Sequence, residues 1–204
     1  MYENRENRLR WLKVLFYIHL AGCLLSALNL AATAVPFSLG TWYTWAQRAV
    51  SLGVAVCLYL LSGRYYRNAG VVKAAAVILE WLPLGLHALL RLDVQSYTFW
   101  LGLLGRASVA LSLIALSLEY IGHAAGSPVD KRKWVVLLIC SFTVSLLSTV
   151  AASLLQSILQ TMEMEASLRI SKVWNAAVRS LSLAFSAANL VLLHRLIRYQ
   201  EEVD

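Results

Sequence analysis

Glu80 and His87 stand seven residues apart in a run that is otherwise largely apolar, and by type they are the residues of this chain most suited to exchanging a proton. Seven residues put both side chains on one face of a helix but two turns apart, roughly 10 Å, too far for a direct acid–base dyad. Arg48, Arg106 and Arg179 place three guanidiniums inside other apolar runs, each about 8–12 Å below a run's end at the helical rise. A charge at the centre of a bilayer costs ~2.5–3.5 kcal/mol even on lenient insertion scales, so ionisable residues kept there are functional candidates by default. Glu80, Arg106, His87, Arg48 and Arg179 are therefore the expected ligand-binding set, and cations around one carboxylate suit capture of a small anionic or zwitterionic solute.

Catalytic and metal motifs do not emerge. The sequence has no HExxH, no GxSG, no glycine-rich phosphate loop and no Cys/His cluster at ligand spacing. Cys23, Cys57 and Cys140 each fall within an apolar run, where thiols pack as small hydrophobes and imply no disulfide framework. No catalytic residue, metal or cofactor is assigned.

The elements that must position these groups follow from composition. Hydrophobic residues make up 59% of the 204 residues and charged residues 14%, against roughly 25% charged in soluble domains. Mean hydropathy is +0.64. A soluble domain of this size cannot bury so much apolar surface, whereas lipid solvates it. Apolar stretches run over about 12–33, 43–62, 70–90, 99–122, 134–159 and 174–194, each long enough to cross ~30 Å of hydrocarbon. Trp11, Trp42, Trp45, Trp100, Trp134 and Trp174 stand near the ends, where an indole reaches water. The expected fold is an all-α integral membrane protein: a six-transmembrane-helix bundle forming one domain over residues 1–204, with consecutive helices as neighbours.

Lys and Arg set the expected orientation. Arg5, Arg8, Arg10, Lys13, Arg64, Arg67, Lys73, Lys131, Arg132, Lys133, Arg195 and Arg198 belong to the termini and the second and fourth connections; Arg91, Arg169 and Lys172 belong to the others. The positive-inside rule puts both termini in the cytoplasm of a multi-pass cell-membrane protein. The net charge of +7 then reflects topology and anionic lipid, with no nucleic-acid partner.

Within the runs, polar and small residues recur at helical spacing. His19, Gly22, Ser26, Asn29 and Thr33 form one such series; Gly102, Gly105, Ser108, Ser112, Ala115 and Glu119 another; Asn175, Arg179, Ser182, Ser186 and Asn189 a third. Each helix therefore carries a polar seam that turns inward. Small and hydroxyl residues there serve helix packing. Glu80 lies near ~15 Å from either surface, with Pro83 following it, and a proline frees a backbone carbonyl beside the carboxyl. Arg106, on the adjacent helix and deepest of the three arginines, is its expected partner, whereas snorkelling or structural pairing suits Arg48 and Arg179. His19, with His123 and His194, reads as hydrogen-bonded packing. The recurrence of Trp and Arg on the second, fourth and sixth runs suggests three two-helix units.

Two short motifs imitate signals. Leu20-Ala21-Gly22-Cys23 resembles a lipoprotein lipobox, but the apolar run continues to Val35, so an uncleaved signal anchor is the simpler reading. Glu201-Glu202-Val203-Asp204 resembles the tail by which cytosolic heat-shock chaperones engage tetratricopeptide clamps. Gln200 replaces the apolar residue usual there, and the segment reads as an acidic solvated tail.

In size and topology the chain is similar to the substrate-binding subunits of energy-coupling transporters, which implies a small-solute transporter or capture subunit with an outward-facing polar cavity and partner proteins for energy. The competing expectation is a structural or regulatory membrane protein whose seams merely hold helices together, acting through a membrane-protein partner or a second copy.

Overall fold

The computed structural model describes residues 2–34, 39–90, 98–126, 130–159 and 164–202. They form six helices: α1 (Tyr2–Ala34), α2 (Gly40–Leu60), α3 (Arg64–Leu90), α4 (Thr98–Gly126), α5 (Lys131–Leu159) and α6 (Met164–Glu202). Each apolar run of the sequence falls on one of them. α1 and α6 extend well past their runs, because backbone hydrogen bonding continues into the charged segments at both ends of the chain.

Four of the six are long and apolar enough to cross a membrane among the described residues: α1, α4, α5 and α6. The other two carry the charges of interest. α2 has Gln47 and Arg48 within 21 residues, and α3 has Lys73 and Glu80 two turns apart. α3 remains a single helix through Pro83; the side chains of residues 83–90 lie outside the description.

Each helix packs on its sequence neighbours, and α6 returns to α1, which closes the six into a ring. The α2–α3 connection is the tightest. Leu61 is extended, and Gly63 adopts φ 140°, a conformation that L side chains rarely take. Its carbonyl then accepts the Arg67 N–H at 3.0 Å, starting the next helix.

Packing is concentrated at one end of the ring. Leu12 and Leu15, Leu58 and Leu61, Tyr66 and Ala69, Tyr120 and Ala124, Trp134 and Leu137, and Leu193 and Leu196 form a single buried cluster drawn from all six helices. This is the end that carries both termini. Trp134, expected at the water boundary, is 0% exposed there, its ring 4.6 Å from His123 and 5.3 Å from Tyr120. Towards the other end, no described side chain of α5 beyond Leu137 is buried, nor any of α6 before Asn189. The outer surface of the ring is apolar, with Leu24, Ile78, Ile114, Leu147 and Val173 all exposed. In water such a surface drives aggregation; in lipid it is the natural boundary.

Candidate functional site

The inward seams meet in a cavity of about 640 Å³, within the size range of small-ligand pockets. All six helices line it. His19, Cys23 and Ser26 come from α1, Gln47, Arg48 and Ser51 from α2, and Lys73 and Glu80 from α3. Ser112 and Tyr120 come from α4, Ser141, Ser145 and Ser148 from α5, and Ser182, Ser186 and Asn189 from α6. The apolar cluster closes the cavity at the end of the chain termini. A side recess between α3 and α4 shares Lys73, Glu80 and Ser112 with it.

The expected site residues separate. Glu80 lines the cavity with its side chain half exposed, and Arg48 faces it with Nε 3.6 Å from Oε1. Arg48 also lies over Trp45, its guanidinium carbon 5.9 Å from the ring centre, and Trp45 meets Trp81 edge-on. Arg106, expected to partner Glu80 from inside the bundle, is exposed on α4 instead. The reason is angular. The inward face of α4 is set by Ser108, Ala115 and Glu119, all buried, and a residue two positions from Ser108 points about 200° away from it. Arg179 donates from Nη1 to the Asn29 carbonyl at 3.0 Å and fastens α6 to α1 without lining the cavity. The side chain of His87 lies outside the described residues. The three arginines thus occupy three different environments, which leaves the expected two-helix repeat without structural equivalence.

Many seam hydroxyls are already bonded. Ser26 donates to Gly22 O, Ser148 to Ser145 O and Ser186 to Ser182 O, each within its own helix. Ser108 crosses from α4 to the Ala76 carbonyl of α3 at 2.9 Å. Three residues of the lining each keep a buried atom without a hydrogen-bond partner among the described residues: Ser141 Oγ, Asn189 Oδ1 and Arg48 Nε, the last standing in the ion pair with Glu80. A buried polar atom without a partner costs roughly 1–3 kcal/mol.

Two groups lie on seams that the spacing marks as inward, but their surroundings are not legible in the sequence. Lys73, counted there among the topological charges, turns into the cavity two turns from Glu80. Glu119 is 97% buried behind the cavity wall and is bracketed by two histidines, His19 of the lining at 2.8 Å and His123 at 3.4 Å. The available signal was the four-residue spacing of Glu119 and His123, which places both on one face of α4. Nothing in the spacing tells that His19 stands at the same depth on α1.

No group of three or more metal-ligating side chains suited to an ion occurs among the described residues. No protein-family model matches the chain, and no curated protein or solved structure is significantly similar to it.

Proposed function

We propose that the chain is a six-span membrane protein of the cell membrane, with both termini cytoplasmic, that takes a small anionic or zwitterionic solute into the cavity from the outer face. The observation that carries the reading is a cavity lined from all six helices by Arg48, Lys73, Glu80 and a set of serines, and sealed by the apolar cluster at the terminal end. A lining with charged and hydroxyl side chains from all six helices suits a polar occupant. Arg48 and Lys73 supply positive charge for a carboxylate or phosphate oxygen, and Glu80 supplies the counter-charge for an ammonium. His87, Arg106 and Arg179 remain outside this set: one lies beyond the described side chains, one is exposed, and one is bonded to Asn29.

The six-span count rests on charge and length. Beyond the four helices that are long and apolar enough to cross, α2 and α3 turn Arg48, Lys73 and Glu80 to the cavity, where water or solute solvates them. A polar helix face turned to an aqueous interior does not prevent a span.

The reading is tested by thermal unfolding of the purified chain across a panel of free amino acids and small dicarboxylates. A ligand that binds only the folded state raises stability by about 2.7 kcal/mol at a hundredfold excess over its Kd. One class of compound is expected to stabilise the wild type, with the effect lost in Arg48→Ala and Glu80→Gln. If no compound stabilises the chain, a bundle whose seams serve packing and partner binding becomes the better account. The bonds Ser108–Ala76 and Arg179–Asn29 already serve that role.

A further inference from the structure

Solute capture leaves one set of buried groups without a task. Glu119 Oε1 receives His19 Nε2 at 2.8 Å and His123 Nε2 at 3.4 Å, and His123 Nδ1 lies 2.9 Å from the Tyr66 hydroxyl. His19 lines the cavity, whereas His123 and Tyr66 are 0% and 2% exposed inside the apolar seal. A hydrogen-bonded chain therefore leads from the cavity wall into the seal.

One arrangement of protons satisfies every member. An ionised carboxylate can only accept, so both imidazoles donate to it through Nε2. Neutral His123 then accepts the Tyr66 O–H at Nδ1. The ring nitrogen left over is Nδ1 of His19, the histidine on the cavity wall. Among the described residues the ion-pair partners of Glu119 are these two histidines. A carboxylate buried so deeply gains from positive charge beside it, and a second proton on His19 would add that charge at 2.8 Å.

The neighbouring elements bring two further cations. α1 brings Arg8, 5.9 Å from the Tyr66 ring centre, and α3 brings Lys73 on the cavity wall. α4 adds Tyr120, α2 the thiol of Cys57, α5 the uncharged Trp134, and α6 the uncharged Asn189.

We propose that His19, on the cavity wall, and Glu119 behind it form a proton-binding site, and that its protonation and the binding of an anionic or zwitterionic solute favour each other. The step is a proton transfer: hydronium in the cavity gives its proton to His19 Nδ1 and leaves water, with no other bond broken. The gained charge attracts an anion, and by linkage a bound anion holds the proton more tightly. The proposal rests on the cavity reading above, and the two can fail separately.

The test is proton uptake by the full-length chain in lipid nanodiscs, followed with a pH-indicator dye after small acid steps between about pH 5 and 8. Glu119→Gln is expected to take up about one proton fewer than wild type over that range. His19→Gln, which retains the Glu119–His123 contact, is expected to lose the same proton. Glu165→Gln, an exposed carboxylate on α6, is expected to match wild type. Helical content and monodispersity establish that each variant is folded. Equal uptake by wild type and a folded Glu119→Gln or His19→Gln chain overturns the proposal. In a second arm, Cys23 on the cavity wall is modified by a charged methanethiosulfonate in a Cys140→Ala chain. Slower uptake after modification supports access through the cavity, and an unchanged rate overturns it. Failure of Cys23 to react counts against the cavity reading, while the stoichiometry still decides the proton site.

Discussion

Gly70 of α3 lies against the backbone of α2, and its replacement by alanine tests the ring closure quantitatively. A Cβ at this position would fall 2.5 Å from Tyr59 N, 2.7 Å from Ala55 O and 2.9 Å from Tyr59 Cα. These are backbone atoms of one helical turn, so none can swing aside as a side chain would. To reach even 3.0 Å from Tyr59 N, α3 must retreat by 0.5 Å from α2. Overpacking of this kind costs about 1–3 kcal/mol, and the rigidity of the contact argues for the upper half. Against it stands the helix preference of alanine over glycine, about 1 kcal/mol. The net expectation is a loss of about 1–2 kcal/mol, or roughly 2–8 °C in Tm for a chain of this length. Gly102→Ala is the matched control, because a Cβ there meets nothing within 4 Å and keeps the helix gain alone. Both variants are compared by thermal unfolding in the same lipid or detergent. If Gly70→Ala melts at or above Gly102→Ala, the close approach of α2 and α3 is wrong.

Further outcomes follow from individual contacts. Tyr66→Phe keeps the ring but removes the hydroxyl that faces His123 Nδ1, and is expected to cost about 1–3 kcal/mol in the same assay. Gly122→Ala presses a Cβ to within 2.9 Å of the Tyr66 ring and is expected to destabilise the chain alongside it. Arg48→Ala leaves Glu80 half exposed and is expected to change Tm little while abolishing solute-dependent stabilisation. Beyond the apolar run of α6, Glu201 bonds Lys13 at 2.7 Å, and that hydrogen bond holds its carboxyl below the ordinary value. Its contribution is therefore present above the unfolded carboxylate pKa and disappears as pH falls through the lower folded value. Glu201→Gln should melt below wild type near neutral pH and coincide with it in acid.

Much of the fold is legible in the sequence, because the apolar runs and their charged ends mark each helix. The runs at about 12–33 through 174–194 each become a helix, and the three- and four-residue spacing of Ser26, Ser112 and Ser186 marks the faces that line the cavity. Glu80 and Arg48 are found the same way. Spacing along one helix carries no information on relative depth between helices, and the pairings go wrong for that reason. Arg106 is deep by residue count but stands on the wrong angle of α4, so Arg48 faces Glu80 in its place. Lys73 lies close to a connection and is naturally read as a topological charge. His19 and Glu119 are 100 residues apart, and only the ring closure brings them to one level. The tail motif at 201–204 is described only through Glu202, where α6 still continues as helix with Glu201 held by Lys13. Cys23 of the lipobox-like segment lies within unbroken α1, on the cavity wall.

The central claim is a water-filled cavity reached from the side opposite the termini. Its most direct test is thiol accessibility in intact cells or sealed vesicles, using single cysteines in a chain lacking Cys23, Cys57 and Cys140. Cysteines at Ser51, Ser145 and Ser182, all on the cavity wall, are expected to react with an impermeant reagent applied from outside. Cysteines at Leu146 and Leu181, exposed on the outer faces of the same α5 and α6, are expected to stay unmodified in lipid. Seam positions as silent as these lipid-facing ones would contradict the cavity.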